Sequence, residues 1–380
     1  MQLTRTASAV AIALGLLAAG AARATEPPSP FDEVVTGSLL RYFTDSQHIR
    51  VRSLMGNGTV PFKNASLELH VNNEQVTIPA VSAPVGSAEA VDAITTASRP
   101  ISGNAFQDFV KVRNEFQGAL TRGHAALDYY LSTESDYLGQ QLGARLDRDY
   151  MNDQLNVSMG SSFGWDAIKP LADDDTNTGR SHKTTLHWNA VATEVMSSTT
   201  MMRFGLELNL VNGLQHNPYR HVYAGGTNVA ERHPDTRQRR DAFLKLNHWL
   251  SNRSSVKLGY RLYSDDWGIV SHEADTKLSQ YITRGVYAQY QYRWYTQTAA
   301  DFFRKEYLTT SGIDGYLTGD YRMGPLSSHL FGFAMNADLG TLLTDHPMFE
   351  RLGLWLSIER YFNSNNYSAN ILETGLDFRF

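Results

Sequence analysis

The sequence predicts an all-β fold: a transmembrane antiparallel meander β-barrel of about sixteen strands, with fourteen as the alternative, behind a cleaved export leader. Three observations carry this reading. Residues 7–22 form an unbroken run of small and apolar side chains near the amino terminus. Beyond it, stretch after stretch alternates apolar and polar residues over about 9–11 positions, the length a tilted membrane strand needs. The last ten residues, ILETGLDFRF, keep that alternation up to the final Phe380.

The leader comes first. Arg5 supplies a positive start, and Ala22-Arg23-Ala24 fits the small-x-small cleavage pattern, so residues 1–24 are read as a signal peptide and Thr25 as the mature start. The apolar run falls short of the ~20 residues that span a bilayer as a helix. Residues 25–46, with Pro27, Pro28 and Pro30, read as a periplasmic lead-in, and 47–380 as the barrel. An irregular Ala-, Ser- and Thr-rich stretch interrupts it at about 83–104.

Single strands show the alternation best. In Thr200–Leu210, Met202, Phe204, Leu206, Leu208 and Leu210 share one face, opposite Arg203, Gly205, Glu207 and Asn209. Val256, Leu258, Tyr260 and Leu262 repeat it, as do Leu352, Leu354, Leu356 and Ile358. A soluble sandwich has the same period, but its strands are typically about 5–6 residues long. Sixteen segments are read this way, the first at 48–55 and one at 312–320. Long loops then fall near 164–182, 211–238 and 296–311, and tight turns at Arg122-Gly123 and Thr283-Arg284. Counting strands up and down puts the carboxy terminus at the long-loop end. A barrel normally ends in the periplasm, so the long loops are expected to face that side.

Composition narrows the function classes. Cysteine is absent, which excludes a disulfide scaffold, a zinc–thiolate site and a cysteine nucleophile. A net charge of −5 without a basic block gives no reason to expect nucleic acid. Aromatic residues reach 11%, including 19 Tyr, which suits strands and membrane–water girdles.

The residues most suited to a lumen or constriction are Arg203, Glu207, Arg220, Arg237, Arg239, Arg261 and Arg293. The segment Gln215–Arg240 is the densest, holding His216, Tyr219, Arg220, His221, Arg232, His233, Arg237, Arg239 and Arg240. Arginine forks match carboxylate and phosphate, so an anion-binding constriction is one reading. The other is a folded plug whose arginines pair with carboxylates such as Glu207. Asp265-Asp266 with His272 could hold a divalent cation or activate water. A turn with Trp267 as an interfacial anchor accounts for the same residues. Asp173-Asp174-Asp175 lacks the further ligands of a calcium loop and reads as a solvated turn. No catalytic set, metal site or cofactor is predicted.

The alternating face Leu376, Phe378, Phe380 resembles the carboxy-terminal signal read by the bacterial barrel-assembly machinery. Further segments carry a second resemblance: Ser132–Tyr137, Asn217–Arg220, His233–Arg237, Tyr260–Gly268 and Tyr292–Phe303. As a set they resemble an uncharacterised family of Gram-negative outer-membrane barrels, a domain-of-unknown-function family, over roughly 99–380. The resemblance implies fold and outer-membrane location, and hints at a periplasmic lipoprotein or a redox-related protein as partner. It brings no substrate and no catalytic residue. The expected function is therefore a porin-like channel or transporter for small polar solutes. The alternatives are a scaffold barrel docking a periplasmic protein or lipoprotein and, third, an outer-membrane hydrolase.

Overall fold

A computed structural model describes residues 35–78, 109–171, 178–346 and 349–379. The signal peptide, the stretch 83–104, Asp173–Asp175 and Phe380 lie outside the described residues. The first seven strands are β1 Val35–Asp45, β2 Arg50–Phe62, β3 Ala65–Ile78, β4 Phe109–Arg122, β5 Ala125–Thr133, β6 Tyr137–Tyr150 and β7 Leu155–Ile168. β8 Ser181–Ser197 and β9 Thr200–Gly213 follow, then a short hairpin, β10 His221–Ala224 and β11 Thr227–Ala230. The wall resumes with β12 Thr236–Leu250, β13 Ser254–Asp265, β14 Val270–Tyr281 and β15 Val286–Gln297. It ends with β16 Leu326–Asp338, β17 Leu352–Asn363 and β18 Ser368–Arg379.

All but the β10–β11 hairpin form one closed antiparallel barrel of sixteen strands, 73% of the structure being strand. Closure is made by β1 and β18, with Leu40 opposite Thr374 and Tyr42 opposite Leu372. Every strand then has two neighbours, which is what a sheet in hydrocarbon requires, since no unpaired backbone edge can face lipid. The alternation read from sequence becomes two surfaces. Leu127, Leu142, Leu206, Leu258, Leu356 and Ile358 are exposed on the outer wall. Leu376 and Phe378 of the terminal segment stand on that same wall. Polar partners such as Glu207, Arg261 and Glu373 turn inward.

Three expectations need correction. The lead-in does not extend to 46: Val35–Asp45 is the first barrel strand. The segment 312–320 is not a strand of the wall. Gly312, Asp314 and Gly315 take positive φ, which bends the chain into a turn, and it lies within the connection between β15 and β16. These two errors cancel in the count, and the false strand at 312–320 inverts the parity of everything after it. Once both are set right, the strand β18 ends at the short-turn end, with the start of β1, and the long connections lie at the opposite end. The ground for placing the long loops on the periplasmic side is therefore gone.

Candidate functional site

Connections 214–235 and 298–325, with the turns between β5 and β6, β13 and β14, and β17 and β18, fold together into a layer at the long-loop end. It has its own apolar core. Trp267, Ile269, Ala300 and Phe302 form one buried cluster, with Ile313 and Tyr316 against it. Val222, Ala224, Tyr307 and Leu317 form another. Tyr307 ties the second cluster to its surroundings: its hydroxyl donates to the Phe302 carbonyl and accepts from Thr318 N at 2.8 Å.

Buried charges join the loops to one another. The guanidinium of Arg220, which follows Asn217-Pro218-Tyr219, makes an ion pair with Asp320; the two side chains are 1% and 7% exposed. Arg322 holds the same carboxylate through Nη2 at 2.8 Å. Burial pushes the Asp320 pKa up, but Arg322 and Arg220 outweigh it and hold the carboxyl below its ordinary range. Glu231, buried just after β11, accepts from Thr318 Oγ1 at 2.8 Å and Gly319 N at 2.9 Å. Burial raises its pKa to about 7, against the pull of Arg220. His233 lies 3.7 Å from Glu231 and is enclosed by Trp267 and Phe302, with ring centroids 5.3 and 5.5 Å away. Burial, helped by neighbouring His216, pushes its pKa down to about 3, so it is neutral.

The layer is anchored to the rim at several points. Asp265, at the end of β13, accepts from Arg237 Nε at 2.9 Å, Tyr263 Oη at 2.7 Å, and the backbone N–H groups of Trp267 and Ile269. The Arg237 guanidinium also lies 4.1 Å over the Trp267 ring, whose Nε1 donates to the Thr236 carbonyl. Tyr219 Oη donates to Asp136 in the β5–β6 turn and accepts from Leu171 N at 3.0 Å. On the far side, the Tyr321 and Tyr367 rings meet at 6.5 Å, and Tyr367 Oη donates to Asp45 at 3.2 Å. Contacts thus run from the β5–β6 turn, on one part of the ring, to the β17–β18 and β1–β2 turns on another, and the layer crosses the mouth.

Below it, the inner wall is lined with pairs. Arg261 meets Asp241 at 2.6 Å and Glu207 at 2.9 Å, and Arg293 lies 4.0 Å from Glu273. Arg113 meets Glu74 at 3.1 Å, and Lys183 meets Asp166 at 2.8 Å. A cavity of about 390 Å³ opens beside the last two pairs, lined also by Tyr130, Tyr137 and Gln141.

The structure divides the residues singled out from sequence. Arg220 and Arg237 belong to the loop layer; Arg239, Arg261, Glu207 and Arg293 line the wall, and Arg203 is exposed near the short-turn end. They do not converge on one ring. Asp265 is held in the layer while His272 bonds Tyr260 at 2.7 Å on the outer wall, so those two do not form a common site. Trp267 is buried in the layer, at 4% exposure, where an interfacial anchor was expected. The five motif segments, by contrast, do come together: Asp136, Tyr219, Arg220, His233, Arg237, Asp265, Trp267 and Phe302 are the contacts of the layer. Asp320, Glu231, Thr318 and Tyr307 were not singled out; proximity of Glu231 to the His233 segment was the one available signal.

Solved structures of similar fold include a bacterial polysaccharide outer membrane secretin, with a TM-score of 0.50 and 8% identity over 93% of this chain and 100% of that one. Others are a loop-deletion mutant of OmpT, an outer membrane protein of Vibrio cholerae (TM-score 0.42, 7% identity, 92% of this chain and 100% of that one), and OccAB3 of Acinetobacter baumannii (TM-score 0.38, 9% identity, 92% and 98%). No curated protein sequence matches. The family model described as protein of unknown function, DUF3570, matches residues 57–351, and the chain, a closed sixteen-strand barrel resembling those of the Gram-negative outer membrane, belongs to that family.

Proposed function

We propose that the protein is a gated outer-membrane channel for small polar solutes, with the folded loop layer as its gate. One observation carries this reading: a layer with its own core and buried ion pairs crosses the mouth of a barrel whose inner wall is polar. A wet lumen suits polar cargo. A layer held at a few charged points can open without unfolding the wall, because local stability differs from one region to the next. These wall pairs join four cations to five carboxylates, so neither sign dominates, which argues for weak ion selectivity. Outer-membrane barrels keep short turns in the periplasm and long loops outside, and on that rule the layer faces the cell exterior.

Planar-bilayer recording tests the reading. The wild-type chain should show small, infrequent openings, and Arg220→Ala should raise the open fraction and the conductance. A wild-type channel already wide open, unchanged by the substitution, would refute the gate. Background conductance in both would favour a scaffold that docks a periplasmic lipoprotein or redox-related protein, to be sought by pull-down from membranes.

A further inference from the structure

The outer wall is apolar over most of its height, with an exception near the long-loop rim. On β17 the even-numbered side chains face outward: Leu354, Leu356, Ile358 and Phe362 are exposed there. Arg360 shares that face. The register sets it beside Phe331 of β16 on one side and Asn370 of β18 on the other. Its guanidinium donates to Asn370 Oδ1 at 2.8 Å and Ser368 Oγ at 3.1 Å. Both acceptors are neutral, and among the described residues no carboxylate makes an ion pair with it. Four lumenal arginines differ: Arg41, Arg113, Arg261 and Arg293 each have a carboxylate within 4.0 Å.

A cation facing lipid is disfavoured unless it reaches water or finds an anion. Arg360 is held against β18 by its two hydrogen bonds, and guanidinium has five N–H donors, so others are left for a ligand. Toward the membrane interior, next to it, runs a groove of about 580 Å³ lined by Leu278, Tyr290, Phe331, Phe333 and Ile358. A fixed, planar cation at the head of an aromatic groove suits one chemistry: a phosphate carrying acyl chains. The guanidinium fork matches phosphate oxygens, and the groove matches a hydrocarbon chain.

We propose that Arg360 and this groove bind a phosphorylated lipid of the leaflet at the long-loop rim. The proposal rests on the barrel's being in a membrane and not on its conducting, so a failed conductance experiment leaves it standing. Arg240 of β12 offers an internal comparison. It also faces outward near this rim, bonded to Gln238 at 2.5 Å, but its neighbours across the sheet are Ser264 and Leu208, not aromatic rings.

Native mass spectrometry of the folded, detergent-solubilised chain tests it, with phosphatidic acid as probe and diacylglycerol of the same chains as control. Wild type and Arg240→Gln should retain phosphatidic acid and release diacylglycerol. Arg360→Gln should weaken retention at least about tenfold, the scale of losing one charge-assisted contact. Arg360→Lys, which keeps the charge without the fork, should fall between, and provides the answer if the Gln variant does not fold. Equal retention by wild type and the Arg360 variants would overturn the proposal, as would equal retention of diacylglycerol. Displacement of the lipid by inorganic phosphate at matched concentration would also overturn it.

Discussion

On the inner wall, Arg261 is 43% exposed where it meets Asp241 and Glu207. In the loop layer, Arg220 is 1% exposed where it meets Asp320. The residue types are alike; the surroundings differ. A solvated pair gains little over its separated, hydrated partners, about 0–1 kcal/mol. A buried pair is different: its net worth against an apolar substitute is small, but removing one partner strands the other in a medium that solvates it badly, at a cost of about 3–5 kcal/mol. In the proposed channel, wall charges therefore tune what the lumen attracts. On the proposed reading, layer charges decide whether the layer stays shut. Between them the same chemistry serves two tasks, set by burial alone.

The largest expected effect comes from Arg220→Ala. It leaves Asp320 and Glu231 buried with less compensating charge, and should destabilise the layer by about 3–5 kcal/mol. The barrel itself is held by strand pairing and should survive. Limited proteolysis should cut within 214–235 and 298–325, while the heat-modifiable gel shift of the folded barrel is retained. Loss of that shift would mean that wall and layer are a single unit, and the comparison would break.

A smaller effect concerns pH, through two groups of opposite slope. Glu231 is held at about 7 against an ordinary 4.5, so the closed layer keeps a proton that the opened layer releases. Its contribution favours closure below 4.5 and is lost as pH rises to about 7. His233 is held at about 3 against an ordinary 6.5, so the opened layer gains the proton. Its neutral state favours closure above 6.5 and loses ground as pH falls toward 3. Between 4.5 and 6.5 the slopes oppose, and the wild type should respond weakly. Each variant should unmask one slope. Glu231→Gln should become more protease-sensitive as pH falls below 6.5, and His233→Asn more sensitive as pH rises toward 7. Flat profiles in both would remove these groups from the account.

The smallest effect should be that of Arg261→Ala on the wall. Stability in urea should change by less than about 1 kcal/mol. A shift of several kcal/mol would show that the wall pairs behave as the buried ones do.

Strands were legible in the sequence where one face meets lipid and the other water. Thr200–Leu210 and Leu352–Tyr361 show this without ambiguity, because two solvents impose period two. β1 was harder: Leu39-Leu40 and Tyr42-Phe43 put apolar residues on both faces, and the prolines before it suggest a linker. The segment 312–320 misled for the converse reason. Ile313, Tyr316 and Leu317 look like strand residues, yet they cover the core of the layer, where no period is imposed. Trp267 was misplaced similarly, since an indole suits both a membrane interface and a small protein core. The motif segments pointed to the right residues without revealing that they meet, because partners such as Tyr219 and Asp136 are 83 positions apart along the chain.

The central claim is that the layer shields the lumen. The chain has no cysteine, so a single Ser162→Cys places one thiol on the inward face of β7 beneath the layer. A bulky, membrane-impermeant maleimide added from the long-loop side should label it slowly. Adding Arg220→Ala should speed labelling at least about tenfold, one decade for each ~1.4 kcal/mol taken from the opening equilibrium. Fast labelling in the otherwise unchanged chain, at the same rate with and without Arg220, would contradict the account.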